Sequence, residues 1–198
     1  MLFALRLEQW TLLWMVAESA LSIFAGVAAS SLLLVAFGAD SIIELASACV
    51  LYYRLNQEFR GKSGEALEAL EKKTGKIAGY LLYALSLYVV AQAFWGLVHR
   101  HEAETSLLGM AVAVIAAFGM PILAKAKIRA ADLINSPALR ADAMETFTCG
   151  YLSWMLLGGL AANALLHWWW IDSVASLVIV PLLVKEAREA ITGHCGCH

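Results

Sequence analysis

Long apolar segments dominate this chain and limit the structures it can form more than any other feature. Six of them are long enough to cross a bilayer, because a transmembrane helix needs about 20 mostly apolar residues. They lie at about residues 10–36, 39–56, 77–98, 105–125, 139–166 and 168–187. The chain lacks the ~10-residue alternation of barrel strands, and backbone polar groups inside lipid must be paired. The sequence therefore predicts an all-α membrane protein with six transmembrane helices.

The composition excludes other classes of protein. Of the 198 residues, 61% are hydrophobic and only 15% are charged, whereas a soluble domain carries about 45–50% apolar and about 25% charged residues. A chain this short has too little interior to bury such an excess. The net charge of −2 offers no basic surface for nucleic acid. The expected partner is the lipid bilayer, and no nucleic-acid partner is expected.

The basic residues predict how the spans are oriented. Thirteen of the 14 lysines and arginines fall at the N-terminus, between spans two and three, between spans four and five, or after span six, and Arg100 alone falls on the other side. By the positive-inside rule, both termini are therefore cytoplasmic. A multi-pass location in the plasma or inner membrane is expected, without a cleaved signal peptide.

Span two contains two carboxylates, and a charge near the bilayer midplane costs about 2.5 kcal/mol or more, so such residues indicate function. Asp40 and Glu44 are four residues apart and share one helix face. An alternative for Asp40 is a helix N-cap at the outer interface, just after Gly38. Glu44 lies a full turn deeper, where capping does not explain it.

Span five carries a polar stripe along an apolar helix. Asp142, Glu145 and Cys149 share one face, which Ser153 and Asn163 continue. A path lined by water or ions explains such a stripe better than packing does. Glu145 and Cys149 are candidate ligands, although buried cysteine is commonly a small hydrophobe. Asp142 lies near the cytoplasmic surface, where it is as suited to a cap or gate as to a ligand.

If spans two and five pack together, Asp40, Glu44, Glu145 and Cys149 converge around a small cavity. Oxygen and sulfur ligands suit a divalent transition metal. Carboxylates also carry protons, which an arriving metal ion would displace, as in an exchanger. Glu18 in span one is a candidate for proton transfer or for the inner vestibule, with pairing to a basic residue as the alternative. No prosthetic group is implied.

Three motifs together resemble the cation diffusion facilitator family: GADSIIE at 38–44, LRAD at 139–142 and WIDSVASL at 170–177. The resemblance covers all six spans, about residues 10–190. It implies a bundle that binds zinc or a similar divalent ion and exchanges it for protons, usually in a homodimer.

Within this resemblance, Asp40 and Glu44 fall on the metal-binding pair of span two, and Glu145 and Cys149 on the pair of span five. Asp172 matches a structural aspartate that begins span six. The usual imidazole is absent and a thiol is present, so cadmium or another borderline ion is a candidate beside zinc.

The predicted organisation is one transporter domain at 1–190 and a Cys/His-rich cytoplasmic tail at 191–198. Family members typically carry a cytosolic metal-sensing domain after span six, so the chain is expected to belong to the short branch without it. The segment 63–73 is expected to form a short surface helix capped by Ser63. Candidates for capturing soft metal ions in the tail are His194, Cys195, Cys197 and His198, with a passive tail as the alternative.

The leading hypothesis is a secondary transporter, not an enzyme, that exports a zinc-like cation from the cytoplasm in exchange for protons. The alternative is a non-transporting membrane metal sensor or scaffold with the same fold. A thiol enzyme using Cys149 is disfavoured, because no histidine or second cysteine follows on its stripe.

Overall fold

The computed structural model describes residues 2–60, 65–100, 103–166 and 168–192. These residues form six helices: α1 (Leu2–Ala28), α2 (Leu32–Phe59), α3 (Glu65–His99), α4 (Leu107–Ile134), α5 (Pro137–Leu166) and α6 (Ile171–Thr192). The described ranges contain no strand, so the all-α prediction is confirmed. Five helices, α1 to α5, are long and apolar enough to cross a membrane. The sixth, α6, carries a cluster of charged residues in its last two turns.

The helices form a four-membered ring with a helix pair beside it. Helix α1 packs on α2 and α4, and α5 packs on α4 and α2, which closes the ring. Helix α3 pairs with α6, and this pair lies against α2 and α5. The main apolar core fills the ring and includes Leu34, Phe37, Met120, Leu152 and Leu156. Polar residues on α2 and α5 that face this interior are thereby removed from lipid.

The two ends of the bundle differ in their contacts. At the end that carries the N-terminus, Ala4 and Leu5 pack with Leu51 and Leu55 of α2 and with neighbouring residues of α4 and α5. At the opposite end, the backbone N–H of Glu104 donates to Ala29 O over 2.8 Å, which joins two loops. The first end carries the basic residues from which the positive-inside rule predicts a cytoplasmic side.

The first two helices begin about eight residues earlier than the sequence predicts. The break between them lies at 29–31, where Ser30 has φ 52° and the Ser31 side chain accepts a hydrogen bond from Leu34 N. Ser31 is therefore the N-cap of α2. The alternative of Asp40 as the N-cap is wrong, because Asp40 is the ninth residue of this helix.

The connections at the cytoplasmic end are also shorter than predicted. Residues 65–73 are the first turns of α3 rather than a separate surface helix, and Ser63 lies outside the described residues. Helix α4 continues to Ile134 and ends at Asn135, which adopts φ 51°. The segment 126–134, expected in a loop, is consequently helical, and this places Lys127 inside the bundle.

Close contact between α1 and α2 depends on Gly38. A Cβ atom at this position would lie 2.7 Å from Ile23 Cγ1 and 3.0 Å from Ile23 N, which is backbone and cannot rotate away. We expect Gly38→Ala to lower the free energy of unfolding in detergent by about 1–3 kcal/mol, the usual cost of overpacking. Gly119→Ala on α4 is the matched control, because a Cβ added at Gly119 would have no atom of another helix within 4 Å. It should stabilise the protein slightly through higher helix propensity, and equal destabilisation by both variants would contradict the contact argument.

Candidate metal centre

Three carboxylates from two helices meet inside the membrane-spanning bundle. Asp40 and Glu44 project from one face of α2, and Glu186 projects from the second half of α6. One carboxylate oxygen from each residue lies within 4.8 Å of the others. Asp40 is 1% exposed and Glu44 is 8% exposed, so protein surrounds these groups on almost every side. A divalent cation fits among oxygens at this spacing after small side-chain movements.

The carboxylates of this cluster lack the partners that buried charges require. Both oxygens of Asp40, both oxygens of Glu44 and Oε1 of Glu186 are buried without a hydrogen bond. Burying an ionised carboxylate without compensation is among the most expensive arrangements in a protein. The cluster therefore needs neutralisation from outside its own side chains, either by a cation or by protons.

Glu18 and Cys149 lie side by side in the ring interior. The Cys149 thiol is 4.0 Å from Glu18 Oε1, and Glu18 Oε2 is buried without a partner. Because α1 begins at Leu2, Glu18 lies past the middle of this helix and not in its cytoplasmic third. The contact between Glu18 and Cys149 joins α1 to α5 across the ring interior.

Glu145 occupies a different environment from the cluster. Its side chain is exposed and lines a cavity of about 870 Å³, which we call the inner vestibule. The inner halves of α2, α3, α5 and α6 form its walls, and Glu44 and Glu186 also line it. Of the four ligands predicted from the sequence, Asp40 and Glu44 belong to the 4.8 Å cluster, whereas Glu145 and Cys149 do not. The ligand roles of Glu145 and Cys149 stay predictions.

Asp142 is part of a buried ion network. Lys127 of α4 is fully buried, donates to Asp142 of α5, and lies 3.2 Å from Glu8 of α1. The network ties three helices of the ring together near their cytoplasmic ends. Asp142 is the sixth residue of α5, and Ser136 accepts the hydrogen bond from Leu139 N at the helix start. A capping role for Asp142 is therefore wrong, and a gating role stays a prediction.

Asp172 joins the start of α6 to the start of α2. It accepts a hydrogen bond from the Ser31 hydroxyl, and Leu32 N donates to its Oδ2 over 2.8 Å. These bonds satisfy groups at a helix N-terminus, as the structural interpretation of Asp172 requires. The predicted tail ligands lie outside the described residues: His194, Cys195, Cys197 and His198.

Sequence reasoning missed Glu186, Glu8 and Lys127. Glu186 follows Ile179 by seven residues and Leu183 by three, and both are buried on the inner face of α6. This spacing places Glu186 on the same face. The pattern was overlooked because Glu186 lies among other charged residues, which made this part of α6 resemble a solvated helix end. No comparable signal pairs Lys127 with Glu8, because 119 residues separate them in the chain.

Helices that cross a bilayer around buried, unpaired carboxylates define a multi-pass integral membrane protein suited to handling cations. Comparison with protein families gives a match to the family described as the Cation efflux transmembrane domain, over residues 11–192. The chain belongs to this cation efflux, or cation diffusion facilitator, family and is a cation transporter of that family. A comparison with curated proteins finds no match.

Proposed function

We propose that this protein exchanges a divalent metal cation for protons and moves the cation out of the cytoplasm. The main support is that the carboxylate oxygens of Asp40 and Glu44 are buried and have no hydrogen-bond partner. Ionisable groups in this position are costly to keep and mark ion pathways. Zinc is the ion that the family resemblance favours, with cadmium or another borderline ion as the alternative.

Charge balance supports an exchange mechanism rather than simple passage. The clustered carboxylates repel one another and are neutralised either by a bound cation or by protons on the same oxygens. Because an oxygen that carries a proton is no longer free to bind the metal ion, cation entry releases protons and proton entry releases the cation. Glu18, which is buried and has an unpartnered oxygen, is proposed to take part in this proton transfer.

The inner vestibule supports a cytoplasmic route to the site. It extends from Glu44 to Lys72, Lys185 and Thr192 near the basic end of the bundle. Glu145 on its wall is proposed to contact the ion as it approaches, and Cys149 to contact it at the deeper side. We also propose that the protein assembles as a homodimer, as the family resemblance implies. The mass of the detergent-solubilised particle tests this assembly.

Flux in proteoliposomes tests this proposal directly. With an acidic lumen and a metal-sensitive dye inside, we expect zinc to accumulate while the luminal pH rises, because protons leave as the cation enters. A protonophore should abolish the accumulation driven by the pH gradient, and protein-free vesicles are the control. A zinc flux that is the same with and without the pH gradient would contradict proton exchange. No flux of zinc, cadmium or manganese from a folded, metal-binding protein would favour the sensor instead.

A further inference from the structure

Glu186 adds a third carboxylate, from a second helix, to the cluster formed by Asp40 and Glu44. It is partly buried in the inner half of α6, and its ligand oxygen lies within 4.8 Å of those of the other two residues. Its Oε1 is buried without a hydrogen bond, and the fully enclosed oxygens of Asp40 face the same space without partners. An enclosed set of unpartnered acceptors is the arrangement expected around a cation.

We propose that Glu186 is a ligand of the transported cation, and that the three carboxylates favour an oxygen-preferring divalent ion of the Mn²⁺ type. This inference rests on the proposed transport function and specifies the chemistry of the same site. Carboxylate, carbonyl and water oxygens suit Mg²⁺, Ca²⁺ and Mn²⁺, whereas imidazole and thiolate favour zinc and softer ions. Here α6 contributes a carboxylate, and imidazole is absent from the cluster.

The position of Cys149 supports an oxygen site. Its sulfur lies 4.0 Å from Glu18 Oε1 and is not among the ligand atoms that approach one another within 4.8 Å. The softest predicted ligand therefore lies outside the close group of oxygens, and the third member of that group is a hard oxygen from α6. Zinc still binds carboxylates, so the ligand set changes the ratio of Mn²⁺ to Zn²⁺ affinity rather than excluding zinc.

The neighbours of Glu186 on α6 do not explain its orientation. Lys185 lies 3.8 Å from Glu189, and both of these side chains are well exposed, at 68% and 43%. This pair forms a solvated i, i+4 contact at the vestibule wall, whereas Glu186 turns towards α2. Glu189 therefore provides a control carboxylate of the same type, on the same helix, one turn away.

Direct metal binding and flux on the same variants test this inference. We expect Glu186→Gln to weaken Mn²⁺ binding, measured by titration calorimetry and Mn²⁺ EPR, by at least ~10-fold, since even residues that only orient ligands are worth ~10–100-fold. Glu189→Gln should stay within about twofold of wild type. Glu186→His should raise the Zn²⁺ to Mn²⁺ affinity ratio by about tenfold, the direction imidazole favours, and a misfolded protein would not show such a gain.

The outcomes separate this inference from the proposed function. Wild-type transport with Glu186→Gln and Glu189→Gln equally close to wild type in Mn²⁺ binding would overturn the role of Glu186. An unchanged Zn²⁺ to Mn²⁺ ratio in Glu186→His would overturn it as well. If wild type binds Mn²⁺ through Glu186 but moves no ion in proteoliposomes, the transport function fails while the ligand assignment stands.

Discussion

Asp40→Asn is expected to abolish cation transport while leaving the protein folded. Asp40 is 1% exposed, and neither of its oxygens has a partner in the protein. The substitution keeps the shape of the side chain but removes a negative charge and one of the two ligand oxygens. We expect cation flux to fall by at least ~100-fold, because even outer-shell partners of a metal ion are worth ~10–100-fold in affinity or activity.

The stability of the same variant gives an independent readout. Because an unpaired buried carboxylate opposes folding, the neutral amide should leave the unfolding temperature in detergent unchanged or raise it. Asp132→Asn is the matched control, since Asp132 is 56% exposed in a surface ion pair with Arg140. It should transport at the wild-type rate. Wild-type flux in Asp40→Asn, or a large loss of stability, would show that Asp40 serves structure rather than the ion.

Lys127→Met is expected to destabilise the protein by about 3–5 kcal/mol, the cost of leaving buried charges without their partner. Lys127 is fully buried on α4 and is the shared cation of Glu8 on α1 and Asp142 on α5. Methionine matches the length of the lysine stem but leaves two carboxylates facing each other in the ring. Chemical unfolding in detergent, followed by circular dichroism, measures the loss.

Two further variants identify the cause of that loss. Lys125→Met on the exposed face of the same helix should change stability by less than about 0.5 kcal/mol, as surface substitutions usually do. Adding Glu8→Gln and Asp142→Asn to Lys127→Met should recover most of the lost stability, because no uncompensated charge then remains. If the triple variant is no more stable than Lys127→Met, lost packing and not charge explains the effect.

The sequence predicted the helical class and two of the three residues of the cluster for local reasons. Hydropathy over about 20 residues reports on lipid burial, so the spans could be found without tertiary information. Asp40 and Glu44 share a face because α-helical geometry brings residues i and i+4 together. The helix ends were less well predicted, because the break near Ser30 and the end at Asn135 each depend on the backbone conformation of a single residue.

The sequence alone is thus sufficient for the membrane-spanning helical class and for the pairing of Asp40 with Glu44 on one helix face. Helix packing, which the sequence does not reveal, brings Glu186 to that pair, Cys149 next to Glu18, and Lys127 between two acids. The physical reason is separation along the chain, since Glu18 and Cys149 are 131 positions apart. Helix packing decides which distant side chains meet, and the periodicity within one helix carries no information about its neighbours.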